Sequence, residues 1–171
     1  MHWFIGLGLI GALGAGWNLL PAKQASKRII GQTAWVEVAE SGLGFLGRVD
    51  TGAASTSVHA ESIRIDGEMV DFVMANRSGN RVRMRAPLIR TSMVRNAVGE
   101  EERVYVELTI RHYGLEKQVQ ASLNDRSSLN YALLLGRNWL QDDFVVDVTR
   151  DAVPPAQPWP ATDDSRGVAS R

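Results

Sequence analysis

Asp50 carries the most distinctive chemistry in the sequence, because this carboxylate directly follows an apolar, strand-like stretch, residues 45–49. Burying a carboxylate at the end of such a strand costs free energy unless hydrogen bonds hold it. Thr51 can donate one such bond, and Gly52 lets a backbone N–H approach without a Cβ in the way. A carboxylate held like this can share a proton with a second carboxylate, as acid–base hydrolysis requires. The tripeptide alone is equally compatible with a surface turn.

The composition excludes several classes of protein and site. The chain has 171 residues, with 19 basic and 19 acidic side chains and a formal net charge of zero. This length suits one domain with terminal extensions. No basic face or tail stands out, so we do not expect nucleic acid as a partner. The lack of cysteine excludes disulfides, thiol nucleophiles and thiolate metal sites.

The first 22 residues differ in kind from the rest. Residues 3–20 carry no charge, and a stretch of this length reaches the lower end of what crosses a bilayer. Trp3 and Trp17 lie near its two ends, where aromatic rings favour the membrane interface. We therefore expect residues 1–22 to be an uncleaved membrane anchor. A cleaved signal peptide is the alternative, weakened by the lack of a basic start.

The stretch from residue 33 to residue 150 is predicted to be a series of short strands. Period-two alternation and short apolar runs recur there, separated by turn signals, of which Asp66-Gly67 favours a hairpin. The predicted strands are 35–38, 44–49, 58–65, 69–74, 81–85, 104–111, 118–123, 133–135 and 144–148. Residues 127–132 and 137–141 are each predicted as a short helix. Many short strands with evenly spaced turns are typical of an all-β barrel or sandwich.

The segments on either side of this region are expected to lack regular structure. Residues 23–32 are predicted to be a polar linker. Residues 151–171 are predicted to be a disordered tail, since four of the six prolines of the chain fall within seven positions, 154–160.

A second stretch supports comparison with a known family. The apolar run 133–135 leads into Gly136-Arg137 and a short helix-like segment. Together with Asp50-Thr51-Gly52, this stretch resembles the retropepsin-like aspartic proteases. Four ordered motifs, at 47–60, 123–126, 131–137 and 144–148, are similar to the bacterial family labelled ATP-dependent zinc protease. The resemblance covers about residues 29–149.

The resemblance implies an all-β fold: a small closed acid-protease-like (retropepsin-type) barrel with one or two short helices, preceded by the membrane helix. It also implies a homodimer, in which two subunits meet about a twofold axis and each contributes Asp50 as the catalytic residue. A two-lobed enzyme would show a second Asp-Thr-Gly, and this chain has one. The residues expected to support catalysis are Thr51, Gly52, Ala53, Gly136 and Arg137. The substrate would be an extended peptide or protein, added as a strand under a flap predicted at 69–85.

The two cofactors named in the family label have no motif in this sequence. The histidines are His2, His59 and His112, and none lies in a His-Glu-x-x-His zinc motif. No Gly-rich loop ends in Gly-Lys-Ser/Thr, as ATP binding would require. We therefore expect dependence on neither zinc nor ATP, no other cofactor and no metal. His59 is interpreted as an ordinary residue of a strand.

The chain departs from the family pattern at two places. Ala54 stands where the family usually has a basic residue, and Asn96-Ala97 where it usually has a serine pair. These departures favour the alternative function, a non-catalytic peptide-binding module of the same fold. Asp125 and Arg126 are expected to form a local ion pair that braces a loop.

The side of the membrane on which the domain lies has opposing indications. Lys23, Lys27 and Arg28 follow the apolar segment, and the positive-inside rule would leave the domain in the cytoplasm. The family resemblance implies a role in the bacterial cell envelope. On that basis we expect a single-pass inner-membrane protein with its domain in the periplasm.

Overall fold

The computed structural model describes residues 26–96 and 99–154, and for residues 94–96 and 101 it describes the backbone alone. The predicted membrane segment, most of the predicted tail and Ala97 lie outside the described residues. Within these two ranges, no helix has the length and apolar character needed to cross a bilayer.

Eleven strands and one short helix make up the described chain. The strands are β1 (Arg28–Ile30), β2 (Thr33–Val38), β3 (Leu43–Val49), β4 (Thr56–Asp66), β5 (Met69–Ala75), β6 (Arg81–Pro87), β7 (Arg90–Asn96), β8 (Gly99–His112), β9 (Leu115–Asn124), β10 (Leu133–Leu135) and β11 (Phe144–Val146). The helix is α1 (Arg137–Leu140), inside the helix predicted at 137–141.

Six of the strands form a closed barrel in the order β10-β3-β2-β8-β9-β4, and the ring closes because β10 also pairs with β4. The β10–β3 and β4–β9 pairs are parallel, and the other four pairs are antiparallel. A closed barrel leaves no free edge among its own strands. The predicted all-β closed barrel is confirmed.

The barrel core follows from the period of two along each strand. Leu43, Phe45 and Val49 of β3 are buried, whereas Leu46 and Arg48 between them are exposed. Leu133 and Leu135 of β10 are fully buried. Because alternate side chains point to opposite faces, these residues line the inside of the barrel. The core therefore anchors β3 and β10, the two strands that precede Asp50 and Gly136.

Three further pairings extend beyond the barrel. β5 and β6 continue outward from β4 as antiparallel strands, joined to it by the hairpin predicted at Asp66-Gly67. β7 pairs with residues 99–105 of β8 and forms a long hairpin with it. β1 and β11 form a separate two-stranded parallel sheet.

Three segments differ from the prediction, the first being β7 (Arg90–Asn96) with the start of β8 (99–103), where the sequence predicts no strand. β1 lies within residues 23–32, the predicted linker; three residues are too short for alternation to be recognised, but Ile30 is buried there. The helix predicted at 127–132 is absent from this described stretch. The Arg77 guanidinium bonds the carbonyls of Arg126, Ser127 and Leu129, which a helix would use for its own hydrogen bonds.

Candidate active site

Asp50 continues directly from β3, and its backbone N–H donates to the carbonyl of Leu135 at 3.0 Å. Its carboxylate is half-buried, and Oδ1 accepts the N–H groups of Gly52 at 2.9 Å and Ala53 at 3.1 Å. In the described chain Oδ2 has no hydrogen-bond partner. One oxygen is thus fixed by the turn, and the other is available to water or to a second carboxylate.

Thr51 and Gly52 form the exposed tip of this turn. Their carbonyls accept hydrogen bonds from Nη1 of Arg137, at 3.1 Å and 2.6 Å. The Thr51 hydroxyl makes no bond to any described residue, so the bond to Asp50 suggested by the sequence is made instead by backbone N–H groups. Arg137 therefore holds the backbone of the turn, while the Thr51 side chain stays exposed.

Gly136 and α1 pack directly against the residues that follow the turn. The Arg137 N–H donates to the Ala53 carbonyl at 2.9 Å, and the next N–H donates to the Ala54 carbonyl at 3.2 Å. A Cβ on Gly136 would lie 2.5 Å from the Ser55 carbonyl oxygen, closer than any side chain tolerates. The structure thus brings together all six residues that the sequence singled out.

Asn138 stabilises the same region and is not among the site residues named from the sequence. Its Oδ1 accepts both the backbone N–H and the hydroxyl of Thr56, at 2.9 Å and 3.0 Å. Its Nδ2 donates to the Gln120 carbonyl at 2.8 Å. One side chain therefore ties α1 to β4 and to β9. The signal was its position directly after Gly136-Arg137.

A layer of buried polar side chains lies behind the turn, on β4, β9 and the loop after β9. Its members are Thr56, Ser57, His59, Ser122, Asn124 and Arg126. The Ser57 hydroxyl accepts from Asn124 Nδ2 at 3.0 Å and from Arg126 Nη1 at 3.4 Å. Ser57 lies opposite Leu134 in the β4–β10 pair, one residue from the carbonyl that receives the Asp50 N–H. The layer is therefore connected to the Asp50 turn.

Arg126 is the cation of this layer, and its side chain is buried. Burial chiefly lowers the pKa of Arg126, the charges of Arg103 and Arg77 lower it further, and the Asp50 carboxylate raises it. The guanidinium reaches the Ser57 hydroxyl on β4, the strand that follows the Asp50 turn. Its Nε donates to the Tyr131 carbonyl at 3.0 Å, while Nη2 has no partner in the described chain.

The ion pair predicted between Asp125 and Arg126 is absent among the described side chains, and that prediction is wrong. The Asp125 carboxylate accepts the backbone N–H of Ser127 and lies 3.7 Å from Nδ1 of His59. The hydrogen bonds that Ser127 donates are the main cause that lowers the pKa of Asp125. The loop is braced by backbone bonds instead.

The two hairpins outside the barrel differ in their contacts with the rest of the described chain. The predicted flap, residues 69–85, forms the β5–β6 hairpin, but its turn is tied down: Asn76 Nδ2 donates to the Gly44 carbonyl at 3.0 Å, and Arg77 bonds the Arg126 carbonyl at 2.7 Å. In β8, residues 99–103 pair with β7 and with no other described strand. The β7–β8 hairpin therefore projects from the barrel.

The two described histidines lie in separate surroundings. His59 is in the buried layer on β4, whereas His112, at the end of β8, hydrogen-bonds through Nδ1 with the Trp35 carbonyl at 2.8 Å and packs edge-on against Trp139. No three His, Asp or Glu side chains in the described ranges gather in a group that could hold a metal ion.

Comparison with known proteins yields matches at three levels. Residues 29–157 match the RimB-like family model, described as retropepsin-like aspartic endopeptidase RimB. A probable alpha-L-glutamate ligase of Desulfotalea psychrophila is 32% identical over 137 residues, covering 74% of this chain and 29% of the ligase. A protein of the same name from Shewanella pealeana is 30% identical over 131 residues, covering 71% and 29%. A solved Legionella pneumophila protein of unknown function (DUF785) has a TM-score of 0.63 at 24% identity, covering 73% of this chain and 96% of its own.

The extent of each match sets what it establishes. This chain spans under a third of the length of the curated relatives, so their names describe much longer proteins. The solved structure establishes the fold. The family model covers most of the chain and includes Asp50, Gly136 and Arg137. The chain belongs to the RimB-like family of retropepsin-like aspartic endopeptidases.

Proposed function

We propose that this chain is an aspartic endopeptidase that acts as a homodimer, with Asp50 as its catalytic residue. The observation that supports this most directly is the carboxylate held by two backbone N–H groups on Oδ1, with no described partner on Oδ2. Hydrolysis by this chemistry needs two carboxylates that share a proton. Since the chain has one Asp-Thr-Gly, a second copy would supply the second carboxylate.

In the proposed mechanism, the two Asp50 carboxylates face each other across a twofold axis and hold one proton between them. The ionised carboxylate takes a proton from a shared water as that water attacks the peptide carbonyl. The protonated carboxylate donates to the developing oxyanion. The exposed Thr51 hydroxyl would bond across the axis, and Arg137 would keep the Thr51-Gly52 turn rigid.

We propose that the substrate is a peptide with acidic side chains, bound in an extended form. Arg126 lies near Asp50 with one guanidinium nitrogen unpaired in the described chain, and the charge of Arg103 acts on the same region. A guanidinium is well suited to bind a carboxylate. The relatives named glutamate ligase also point to peptides that contain glutamate.

The flap is proposed to be the β7–β8 hairpin rather than residues 69–85. Its base at Arg103 acts electrostatically on Arg126, which in turn acts on Asp50. Its outer part has no barrel strand beside it among the described residues, so the hairpin could close over an extended peptide. Asn96, which stands at the first position of the family's usual serine pair, would lie at its outer end, where its backbone pairs with Gly99.

The remaining expectations stand as proposals supported by sequence alone. Residues 3–20 would anchor the chain in the inner membrane, with the domain in the periplasm. The alternative function is peptide binding without hydrolysis. Ala54 favours this alternative, because it stands where the family usually has a basic residue and its side chain is exposed beside the catalytic turn.

Asp50→Asn is the decisive variant for the peptidase proposal. A pair of peptides with glutamate or glutamine at the same positions serves as substrate, and cleavage is followed by mass spectrometry. We expect Asp50→Asn to lower kcat by about 10²–10⁴-fold or more, because the general acid–base pair is lost. Peptide binding and thermal stability should persist, and Asp142→Asn, at an exposed surface position, is the matched control.

Two results would contradict the proposal. Undiminished cleavage by Asp50→Asn would exclude this carboxylate as the catalyst. Tight peptide binding without cleavage at any pH from about 4 to 8, the range in which a carboxylate pair titrates, would establish the binding module instead. Equal use of the glutamate and glutamine peptides would leave the peptidase intact and refute the acidic substrate.

A further inference from the structure

His59 is a buried titratable side chain that the proposed mechanism does not use. It lies on β4, and its side chain is almost fully buried. Its Nδ1 accepts the backbone N–H of Arg126 at 2.9 Å, and its Nε2 lies 3.3 Å from Oε1 of Glu61. Because Nδ1 accepts, the ring proton belongs on Nε2, where it can donate to Glu61. Nδ1 is thus the acceptor of this network and Nε2 its donor.

Charged groups surround the ring on both sides. Glu61 belongs to the same strand and forms an ion pair with Arg81 of β6. Asp125, on the loop after β9, has its carboxylate 3.7 Å from Nδ1. The guanidinium of Arg126 bonds elsewhere, to a hydroxyl on β4 and a carbonyl further along the loop. Only the backbone of Arg126 therefore contacts the histidine through a hydrogen bond.

That single backbone bond has a consequence for the Arg126 side chain. The hydrogen bond to His59 fixes the backbone of Arg126, from which its side chain extends. The Ser57 hydroxyl and the Tyr131 carbonyl then bind the guanidinium at the end of that side chain. Without the acceptor on β4, the buried N–H of Arg126 would be unpaired, which is costly. The backbone would then shift to find another partner, and the guanidinium would shift with it.

We infer that His59 is a positioning residue: through Nδ1 it fixes the backbone of Arg126 and so directs the guanidinium towards the substrate beside Asp50. This inference rests on the proposed function, because it assigns Arg126 the recognition of an acidic side chain. A positioning role differs from a packing role, because it requires a hydrogen-bond acceptor at one ring position, Nδ1.

Asparagine and glutamine variants of His59 test the position of the acceptor. The amide oxygen of asparagine branches from Cγ, as Nδ1 does, so His59→Asn can still accept the Arg126 N–H. The amide of glutamine extends to the position of Nε2, so His59→Gln can still reach Glu61 but leaves the Arg126 N–H without an acceptor. A space-filling role would give no reason for the two to differ in this direction.

The first readout is hydrogen exchange of the Arg126 amide in the full-length protein. We expect protection close to wild type in His59→Asn and at least about tenfold faster exchange in His59→Gln, because a lost hydrogen bond exposes the N–H. The second readout is Kd for the glutamate peptide, measured in an Asp50→Asn background so that catalysis is not required. His59→Gln should weaken binding about tenfold, and His59→Asn should restore it.

Equal protection and equal Kd in the two variants would overturn the inference, as would weak binding in His59→Asn. If neither variant folds, the hydrogen bond is tested directly in ¹⁵N-labelled wild type. A scalar coupling between the backbone nitrogen of Arg126 and Nδ1 of His59 would show that the bond exists. A proton on Nδ1, or no coupling, would refute the bond. Failure of the peptidase proposal would appear separately, as absent cleavage with intact binding.

Discussion

Gly136 has no room for a side chain beside the residues that follow the Asp50 turn. A Cβ there would lie 2.8 Å from the Thr56 backbone N and 2.5 Å from the Ser55 carbonyl oxygen. Both obstacles are backbone atoms, which cannot rotate away. At Gly47 an added Cβ would meet the side chain of Leu133 at 2.9 Å, and that side chain can move.

We therefore expect Gly136→Ala to lower the free energy of unfolding by about 3 kcal/mol and Gly47→Ala by about 1 kcal/mol, within the range of overpacking effects. Gly136→Ala should also reduce cleavage, because Ser55 and Thr56 follow the Asp50 turn directly. Urea unfolding at constant m value measures the stability. A smaller loss in Gly136→Ala than in Gly47→Ala would show that α1 can move away from β4.

The sequence identified those site residues whose role depends on neighbours close along the chain. Asp50 is held by N–H groups two and three residues later, so its turn is visible as a tripeptide. The contact between His59 and Arg126 joins residues 67 positions apart, and no local pattern specifies it. Arg126 was assigned to Asp125 because adjacency was the only available evidence. The barrel instead turns its side chain inward.

At the scale of elements, the end of β8 is fastened to α1 and β11 by an aromatic cluster. The His112 ring contacts Trp139 and Phe144 edge-on, and those two rings stack at 4.6 Å between centroids. Burial lowers the pKa of His112, a hydrogen bond with the Trp35 carbonyl opposes this, and the charge of Arg28 lowers it further. The net shift is downward, so the folded protein favours the neutral ring.

This shift predicts how stability depends on pH. Above the ordinary histidine value of about 6.5, His112 is neutral in both states and its contribution is complete. As the pH falls through that value towards the lower value of the folded state, the unfolded chain binds more protons, and the free energy of unfolding decreases. His112→Phe, which keeps the ring packing, should flatten this decrease in urea titrations between about pH 7.5 and 5. An equally steep decrease in the variant would assign it to another group.

The carboxylates of Asp125 and Asp147 affect stability in a different pH range, so they do not obscure the effect of His112. Hydrogen bonds from Ser127 lower the pKa of Asp125, and hydrogen bonds from Thr149 lower that of Asp147. The stability contributed by a carboxylate with a lowered pKa is complete above its ordinary value of about 4 and is lost as the pH falls below it. Their effects therefore begin below the range of the histidine.

The elements themselves were largely predictable, because strand alternation and turn residues are local signals. The β4–β5 hairpin and α1 lie where the sequence placed them. The exceptions were β1, the stretch 127–132, and the β7–β8 hairpin before residue 104. Contacts distant in sequence decided the first two, since β11 pairs with β1 across more than 110 residues and Arg77 of a distant turn bonds the carbonyls of the second. The hairpin was missed because most of its residues are polar or charged.

At the scale of the whole molecule, the proposed dimer needs a surface that the described chain leaves uncovered. Ile29 and Val145 are register partners in the β1–β11 sheet, and both are more than half exposed. This sheet lies near the Asp50 turn, because the Gln32 carbonyl, two residues after β1, accepts the N–H of Val49. An apolar pair beside the exposed Asp50 turn suits contact with a second copy, which would bury both.

The lack of cysteine makes this assembly directly testable, because an introduced cysteine is the only thiol in the protein. A twofold axis beside Asp50 would bring the two Thr51 residues close together, so Thr51→Cys should form an intersubunit disulfide under mild oxidation, which requires Cα atoms within about 7 Å. Ile65→Cys, an exposed position at the far end of β4, should stay monomeric on a non-reducing gel.

Val145→Lys should reduce both dimer and cleavage in parallel, since it places a charge at the proposed contact. A protein that cleaves peptide while sedimenting as a monomer would require a second acid from elsewhere, and the homodimer would be refuted.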